Sequence, residues 1–259
     1  MKLVIKIGGA ALDDKQLVSR FARTIPSLVR EGHKLVIVHG GGAALSRTLK
    51  QLGCQTTFVN GLRVTDSQTR DVAIMVLAGQ LNKQLVAAIG EAGQPALGIC
   101  GGDLRMVLAS RKKQPDLGYV GDVCAVDAQW IERLWSAGVV PVISSVALGF
   151  DGEYYNVNAD QMASACAVAC GAHALIYLTD VPGVKNAEGD VIRWLEVGAI
   201  SEMVEHATVS GGMLPKLQAC TTALKKGVTR VRILPAECAE VLPGFFTHPI
   251  DCGTEVIAS

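Results

Sequence analysis

Aromatic residues are scarce in this chain: 5% of 259 residues, with three tryptophans. That is thin material for the stacking platforms that bind single-stranded nucleic acid. Charge of one sign is missing too. Lys and Arg number 24 and Asp and Glu 24, so no electrostatic footprint for nucleic acid or an anionic membrane is expected. The eight cysteines (54, 100, 124, 166, 170, 220, 238 and 252) form no CxxC pair and keep no zinc-site spacing with histidine. Most have apolar neighbours, so buried free thiols in a reducing cytoplasm are expected. Several motifs are absent: GxxxxGK(S/T), GxSxG, HExxH and a dinucleotide fingerprint with its spaced acid. The longest stretch without formal charge, 161–179, is cut by Gly171 and His173 and suits helix, cap and strand better than a membrane span. Lys6 interrupts the apolar run that starts at Leu3, so no signal peptide is expected.

Apolar residues are plentiful, at 49%, and the length suits one large α/β domain or two lobes sharing a sheet, dividing near Gly171. Strand and helix patterns alternate throughout, which predicts a largely parallel sheet with helices on both faces. Leu3–Ile7 reads as the first strand, with Leu3, Ile5 and Ile7 on one face and Val4 and Lys6 on the other. A helix is expected over 14–31, kinked or broken by Pro26. Asn60-Gly61 marks a hairpin turn, and Asp66 caps a long helical pattern to about Ala92, with a bend near Gly79. The segment 152–156 reads as turn.

The most informative stretch is Lys34-Leu-Val-Ile-Val-His-Gly-Gly-Gly42. A continuous apolar run ends in three glycines, and a helical pattern with Leu45, Leu49 and Leu52 follows. Strand, glycine turn and helix suit either a cradle of bare N–H groups for an anion or a plain tight turn. Lys6, inside an apolar strand and followed by Gly8 and Gly9, either snorkels from a sheet edge or faces an anion. Lys216 follows Pro215, read as the first helical residue. It therefore stands at the positive end of a helix dipole, where a cation is disfavoured unless an anion binds nearby. Asn158 suits a helix N-cap with Asp160 in the first turn, and that carboxylate is also able to hold lysines. Arg63 suits bidentate carboxylate binding or a surface pair with Asp66 or Asp71. Asp180 opens a loop at a strand's carboxyl end, where α/β sheets bind ligands. His39 is expected to be a satisfied core histidine.

These stretches occur in one order. They are Lys6-Ile-Gly-Gly9, Val38-His-Gly-Gly-Gly42, Asn60-Gly-Leu-Arg-Val-Thr65, Leu77-Ala-Gly79 with Asn82-Lys83, Asn156-Val-Asn-Ala-Asp160, Thr179-Asp-Val-Pro-Gly183 and Gly211-Gly-Met-Leu-Pro-Lys216. In that order the chain resembles the acetylglutamate kinase branch of the amino-acid kinase family, over nearly its whole length. The resemblance implies a three-layer α/β/α sandwich around a central, mostly parallel sheet. An N-terminal lobe (1–171) would bind the substrate and form a homodimer, and a C-terminal lobe (172–259) would bind ATP with Mg2+. The implied reaction is transfer of the γ-phosphoryl group of ATP to the side-chain carboxylate of N-acetyl-L-glutamate, in cytoplasmic arginine biosynthesis. A family member acting on another carboxylate, such as carrier-protein-bound aminoadipate, is the alternative. By match to the motifs, Lys6 and Lys216 would stabilise the transition state and Asp160 would organise both. Gly8, Gly9, Gly41 and Gly42 would supply backbone donors, the first two on the ATP side and the last two on the substrate side. Arg63 and Asn156 would hold the substrate's α-carboxylate. Asp180, Val181, Pro182, Gly183, Val184 and Lys185, with Thr208, Val209 and Ser210, would contact the nucleotide. The metal would come with ATP rather than on a protein site. Two departures stand out. Gly102 occupies a position where many relatives carry lysine. The chain also starts at its first strand, where arginine-inhibited relatives carry an extra helix, so a dimer without arginine feedback is expected.

Overall fold

A computed structural model describes residues 1–205, 209, 211–248 and 251–258. β1 (Lys2–Ile7) sorts the core by alternation: Leu3, Ile5 and Ile7 enter one apolar layer and Val4 the other. After a single 3-10 turn comes α1 (Lys15–Arg30), capped by Asp14, whose carboxylate accepts the Gln16 and Leu17 N–H groups at 2.7 and 3.2 Å. Pro26 does not break this helix into two. The helix continues through it, with Phe21, Ile25 and Leu28 buried on either side. One lost backbone bond is outweighed by the apolar face it would otherwise uncover.

β2 (Lys34–His39) follows, then α2 (Gly42–Gln51) and a hairpin of β3 (Phe58–Val59) and β4 (Leu62–Arg63). Asn60 and Gly61 have φ of 50° and 78°, as a two-residue turn of this kind requires. Asp66 caps α3 (Ser67–Ala73), which runs through a π-helical stretch, Ile74–Leu81, into α4 (Asn82–Glu91). The expected bend near Gly79 is thus a change of helical pitch. This run has a mean hydropathy of 1.5 over its most apolar window, enough by length and composition to cross a membrane, and 44% of that window is buried inside the protein.

Next come β5 (Ala96–Ile99), β6 (Val107–Arg111), β7 (Val120–Val126), α5 (Ala128–Ser136), β8 (Val140–Ser144), β9 (Val146–Gly149) and β10 (Tyr154–Val157). The turn expected over 152–156 ends at Glu153. Tyr154–Val157 is a strand, because Tyr155 packs inward and donates its hydroxyl to Asp151 at 2.6 Å. The chain finishes with α6 (Ala159–Ala169), β11 (Ala174–Thr179), β12 (Trp194–Glu196), α7 (Val197–Glu205), α8 (Met213–Lys225), β13 (Arg230–Pro235) and β14 (Thr254–Ile257).

The main sheet has the order β12-β14-β13-β11-β1-β2-β8-β5, and the six strands from β13 to β5 are parallel. β1 lies inside the sheet, between β2 and β11, so Lys6 does not stand on an edge strand. The chain leaves β1 to one side for β2 and returns to the other for β11. Such a reversal opens a crevice at the strands' carboxyl ends. α1, α4 and the turn after β13 cover one face, and α5, α6 and α8 the other. β6 and β7 pair antiparallel, and with β9 and β10 they close on themselves as a small second sheet. Of the cysteines, 100, 166, 170 and 220 are buried, 54, 238 and 252 half-buried and 124 exposed, so the expectation of buried thiols holds for four.

Candidate active site

Asn158 ends the link from β10 and caps α6, its side-chain oxygen accepting the N–H groups of Asp160 and Gln161 at 2.9 and 3.2 Å. That cap fixes Asp160 in the first helical turn, pointing at β1. The Asp160 carboxylate lies 2.9 Å from the Lys6 ammonium, and each of its oxygens lies 3.0 Å from that of Lys216. α8 starts at Met213, two residues earlier than expected. Pro215 is its third residue, still among the first four whose N–H groups have no partner within the helix, so the missing proton costs little. Lys216 remains in the first turn, and Asp160 is the anion that offsets its position. The Tyr177 ring lies 5.1 Å from the Lys216 ammonium, and its hydroxyl donates to the Asp160 backbone carbonyl at 3.2 Å.

All three charged side chains are 10% exposed or less. Two cations and one anion leave one positive charge in surplus, out of water. Burial lowers the Lys6 pKa, Asp160 opposing and Lys216 adding to the fall. Burial alone would raise the Asp160 carboxyl, but the two ammonium groups outweigh it and hold it below its ordinary value. A second anion arriving here would be met by charge already stripped of solvent.

Lys6 and Asp160 line a cleft of about 340 Å³, together with Gly41, Gly42, Arg63, Asn156 and Gly212, and Lys216 lies directly behind Asp160. Arg63 is buried and makes no surface pair. Its Nη2 donates to Gly42 O at 3.0 Å and to Ser46 Oγ at 2.7 Å, while its buried Nη1 has no partner among the described residues. The Phe58 ring stacks on it at 4.6 Å. Asn156 donates to Thr65 Oγ1 at 3.3 Å, and Thr65 donates to Arg63 O at 3.0 Å, which joins the two polar groups across the cleft. Gly41 has φ of 153°, and Leu77 and Leu81 occupy the space a side chain would need. Its carbonyl accepts the first bond of α2, so the leading N–H groups of that helix open toward the cleft. At Gly8 the Lys6 ammonium takes the place of a side chain, and Gly9 starts the 3-10 turn after β1.

Asp180 leaves the end of β11, accepts the Thr179 hydroxyl at 3.1 Å and acts electrostatically on Lys6. Beyond it the loop turns inward. Gly183 packs against Val191 and Thr254, and the buried Val184 donates its N–H to Thr254 Oγ1 at 2.8 Å. Val181 is half-buried, Pro182 and Lys185 are exposed, and Val209 is buried. Thr208 and Ser210 lie outside the described residues. Gly102 lies under the Tyr154 ring, which occupies the path a longer side chain would take. Ser46, Thr65 and Tyr177 were not singled out from sequence. Each is an ordinary residue in an ordinary element, and only its neighbours in space give it a part in the site.

A profile of the amino acid kinase family matches residues 1–235. The acetylglutamate kinase of Acidobacterium capsulatum is 57% identical over 261 residues, and that of Koribacter versatilis 58% over 260, each match covering 100% of both chains. Among solved structures, smu.665 from Streptococcus mutans superposes with a TM-score of 0.85 at 29% identity, covering 100% of this chain and 99% of the other.

Proposed function

The chain belongs to the amino acid kinase family, and on that premise we propose that it transfers the γ-phosphoryl group of ATP to the side-chain carboxylate of N-acetyl-L-glutamate. The product is N-acetyl-L-glutamyl 5-phosphate, an intermediate of arginine biosynthesis. One observation carries the reading: a buried Lys6–Asp160–Lys216 cluster with surplus positive charge, whose Lys6 and Asp160 line a cleft that also holds the edge of Arg63 left without a partner among the described residues.

The attacking group is a carboxylate with a reference pKa of about 4.3, ionised at neutral pH, so no general base is required. What the protein must supply is alignment and relief of repulsion between two anions. Arg63 and Asn156 hold the substrate's α-carboxylate at one end of the cleft. The N–H groups of the Gly8-Gly9 and Gly41-Gly42 turns meet the oxygens of the transferring group. Lys6 and Lys216 draw off negative charge as the bond to the leaving phosphate lengthens. Asp160 holds both ammonium groups in place. Magnesium brought with ATP would screen the phosphates, and Asp180 is the carboxylate beside the triad that would face it. In this reading residues 1–171 form the substrate lobe and 172–259 the nucleotide lobe, with the 180–185 loop and residues 208–210 around the nucleotide. The enzyme works as a cytoplasmic homodimer formed by the substrate lobe. Support for that pairing comes from the open edge of β5, where Leu97 is 43% exposed, and from Met75 at 60%.

Hydroxylamine trapping of acyl phosphate, with ATP, magnesium and a panel of acids, tests the activity. Product with N-acetyl-L-glutamate is expected. Product only with another acid, aminoadipate on a carrier protein included, overturns the assignment.

A further inference from the structure

The Gly40–Gly42 turn is held from behind by two fully buried polar side chains. His39, the last residue of β2, places Nδ1 2.9 Å from Gly40 O and Nε2 3.0 Å from Asn82 Nδ2. Asn82 begins α4, directly after the π-helical stretch whose Leu77 and Leu81 pack on Gly41. Its amide nitrogen also donates to Val142 O at 3.0 Å, while the Lys83 ammonium donates to its oxygen at 3.2 Å and to Gly98 O at 2.8 Å.

These contacts admit one arrangement of protons. An ammonium group only donates, so the amide atom facing Lys83 is the oxygen. The atom facing Val142 O and His39 is then the NH2. Because NH2 donates to Nε2, that nitrogen carries the lone pair and Nδ1 carries the proton, which goes to Gly40 O. Burial, with the Lys6 ammonium adding to it and the Gly40 bond opposing, pushes the His39 pKa down to about 4. The ring is neutral and its tautomer is set by Asn82.

One peptide further on, this bond has an effect on the cleft. The 40–41 peptide is trans, so its C=O and N–H point in opposite directions. With Gly40 O turned to the buried imidazole, the Gly41 N–H is turned toward the cleft, and no group among the described residues accepts it. We propose that His39 and Asn82 are positioning residues: together they clamp the Gly40 carbonyl so that the Gly41 N–H is aimed at the transferring phosphoryl group. The proposal rests on the phosphoryl-transfer reading above. It gives the π-helical stretch a role, because that stretch delivers Asn82 to the back of the turn and two leucines to its front.

Three measurements test it. In 15N-labelled wild-type protein, long-range proton–nitrogen spectra are expected to show His39 protonated at Nδ1 and bare at Nε2; the reverse tautomer overturns the clamp. His39→Leu removes the donor to Gly40 O, and kcat is expected to fall at least ~10-fold with both KM values within about twofold, since the donor is aimed at the transition state. His39→Asn keeps an N–H at the Nδ1 position and is expected to recover most of that loss. Equal loss in both variants, or loss confined to KM, overturns the proposal. The tautomer needs neither substrate nor variant. It therefore decides if the substitutions unfold the chain, and it still tests the clamp if N-acetyl-L-glutamate proves not to be the substrate.

Discussion

Two carboxylates in this protein stand between two lysines, and both clusters draw one lysine from β1. At the amino end of the strand, Glu132 of α5 lies 2.6 Å from Lys2 and 3.5 Å from Lys34. At the carboxyl end, Asp160 of α6 lies 2.9 Å from Lys6 and 3.0 Å from Lys216. Distances and charges nearly match. Exposure does not: the first cluster's side chains are 29, 40 and 50% exposed, the second's 10, 8 and 7%. In the outer cluster water solvates all three groups, and salt screens what attraction remains. In the inner one Asp160 pairs with both cations out of water, Asp180 acts on Lys6 from beyond the pair, and Lys6 lines the cleft. The same three groups thus make a surface bridge at one end of a strand and an anion site at the other. Position along the strand decides which, because crevices form at the carboxyl ends of a parallel sheet.

The sharpest way to break this comparison is to remove a cation from the inner cluster. Lys6→Ala and Lys216→Ala are each expected to lower kcat by about three powers of ten, the scale at which charge stabilisation acts in phosphoryl transfer. Acyl-phosphate trapping measures it, and near wild-type turnover in either removes that lysine from the site. Asp160→Asn leaves two ammonium groups buried together, and urea unfolding should show a loss of about 3–5 kcal/mol. The pH dependence has a definite sign. The folded Asp160 pKa is depressed, so its contribution is complete above the unfolded value of about 3.9 and is lost as pH falls through the folded value. The stability gap between wild type and variant should therefore narrow below about pH 4. A gap that widens in acid would contradict the assignment.

Gly8→Ala sharpens the comparison from another side. The added methyl displaces the flexible end of Lys6 rather than backbone, so stability should stay within about 0.5 kcal/mol while kcat falls ~100-fold from misplacement. Equal damage to both would show that Gly8 matters to folding instead. The smallest effect belongs to the outer cluster. Glu132→Ala should cost less than about 1 kcal/mol, less still in high salt, and leave turnover unchanged. A loss of activity there would mean that the two ends of β1 are not independent.

Much of the site was visible before the fold. Asp66 and Asn158 read as caps, Asn60-Gly61 as a turn, and 34–42 as strand into glycine, and each is so in the structure. Lys6 and Lys216 stood out as charges in the wrong place. Their roles, and that of Asp160, came from family resemblance. No local rule says that a lysine on the first strand, one on a late helix and an aspartate between them will meet. Other elements were legible only in part or not at all. The π-helical pitch over 74–81, the closed ring of β6, β7, β9 and β10, and the unbroken α1 through Pro26 all depend on partners distant in sequence.

The sequence by itself determined the alternation that buries β1 on both faces, the capped helix starts, the side-chain-free turns and the chemical types available for a site. Each follows from a residue and its near neighbours, where sterics and local hydrogen bonding act. Tertiary structure alone decided which of two similar lysine–carboxylate clusters lost its water, which edge of Arg63 was left unpaired, and that Asn82 would set the tautomer of His39. Desolvation and charge coupling depend on what surrounds a group in space, and only the folded sheet brings those surroundings together.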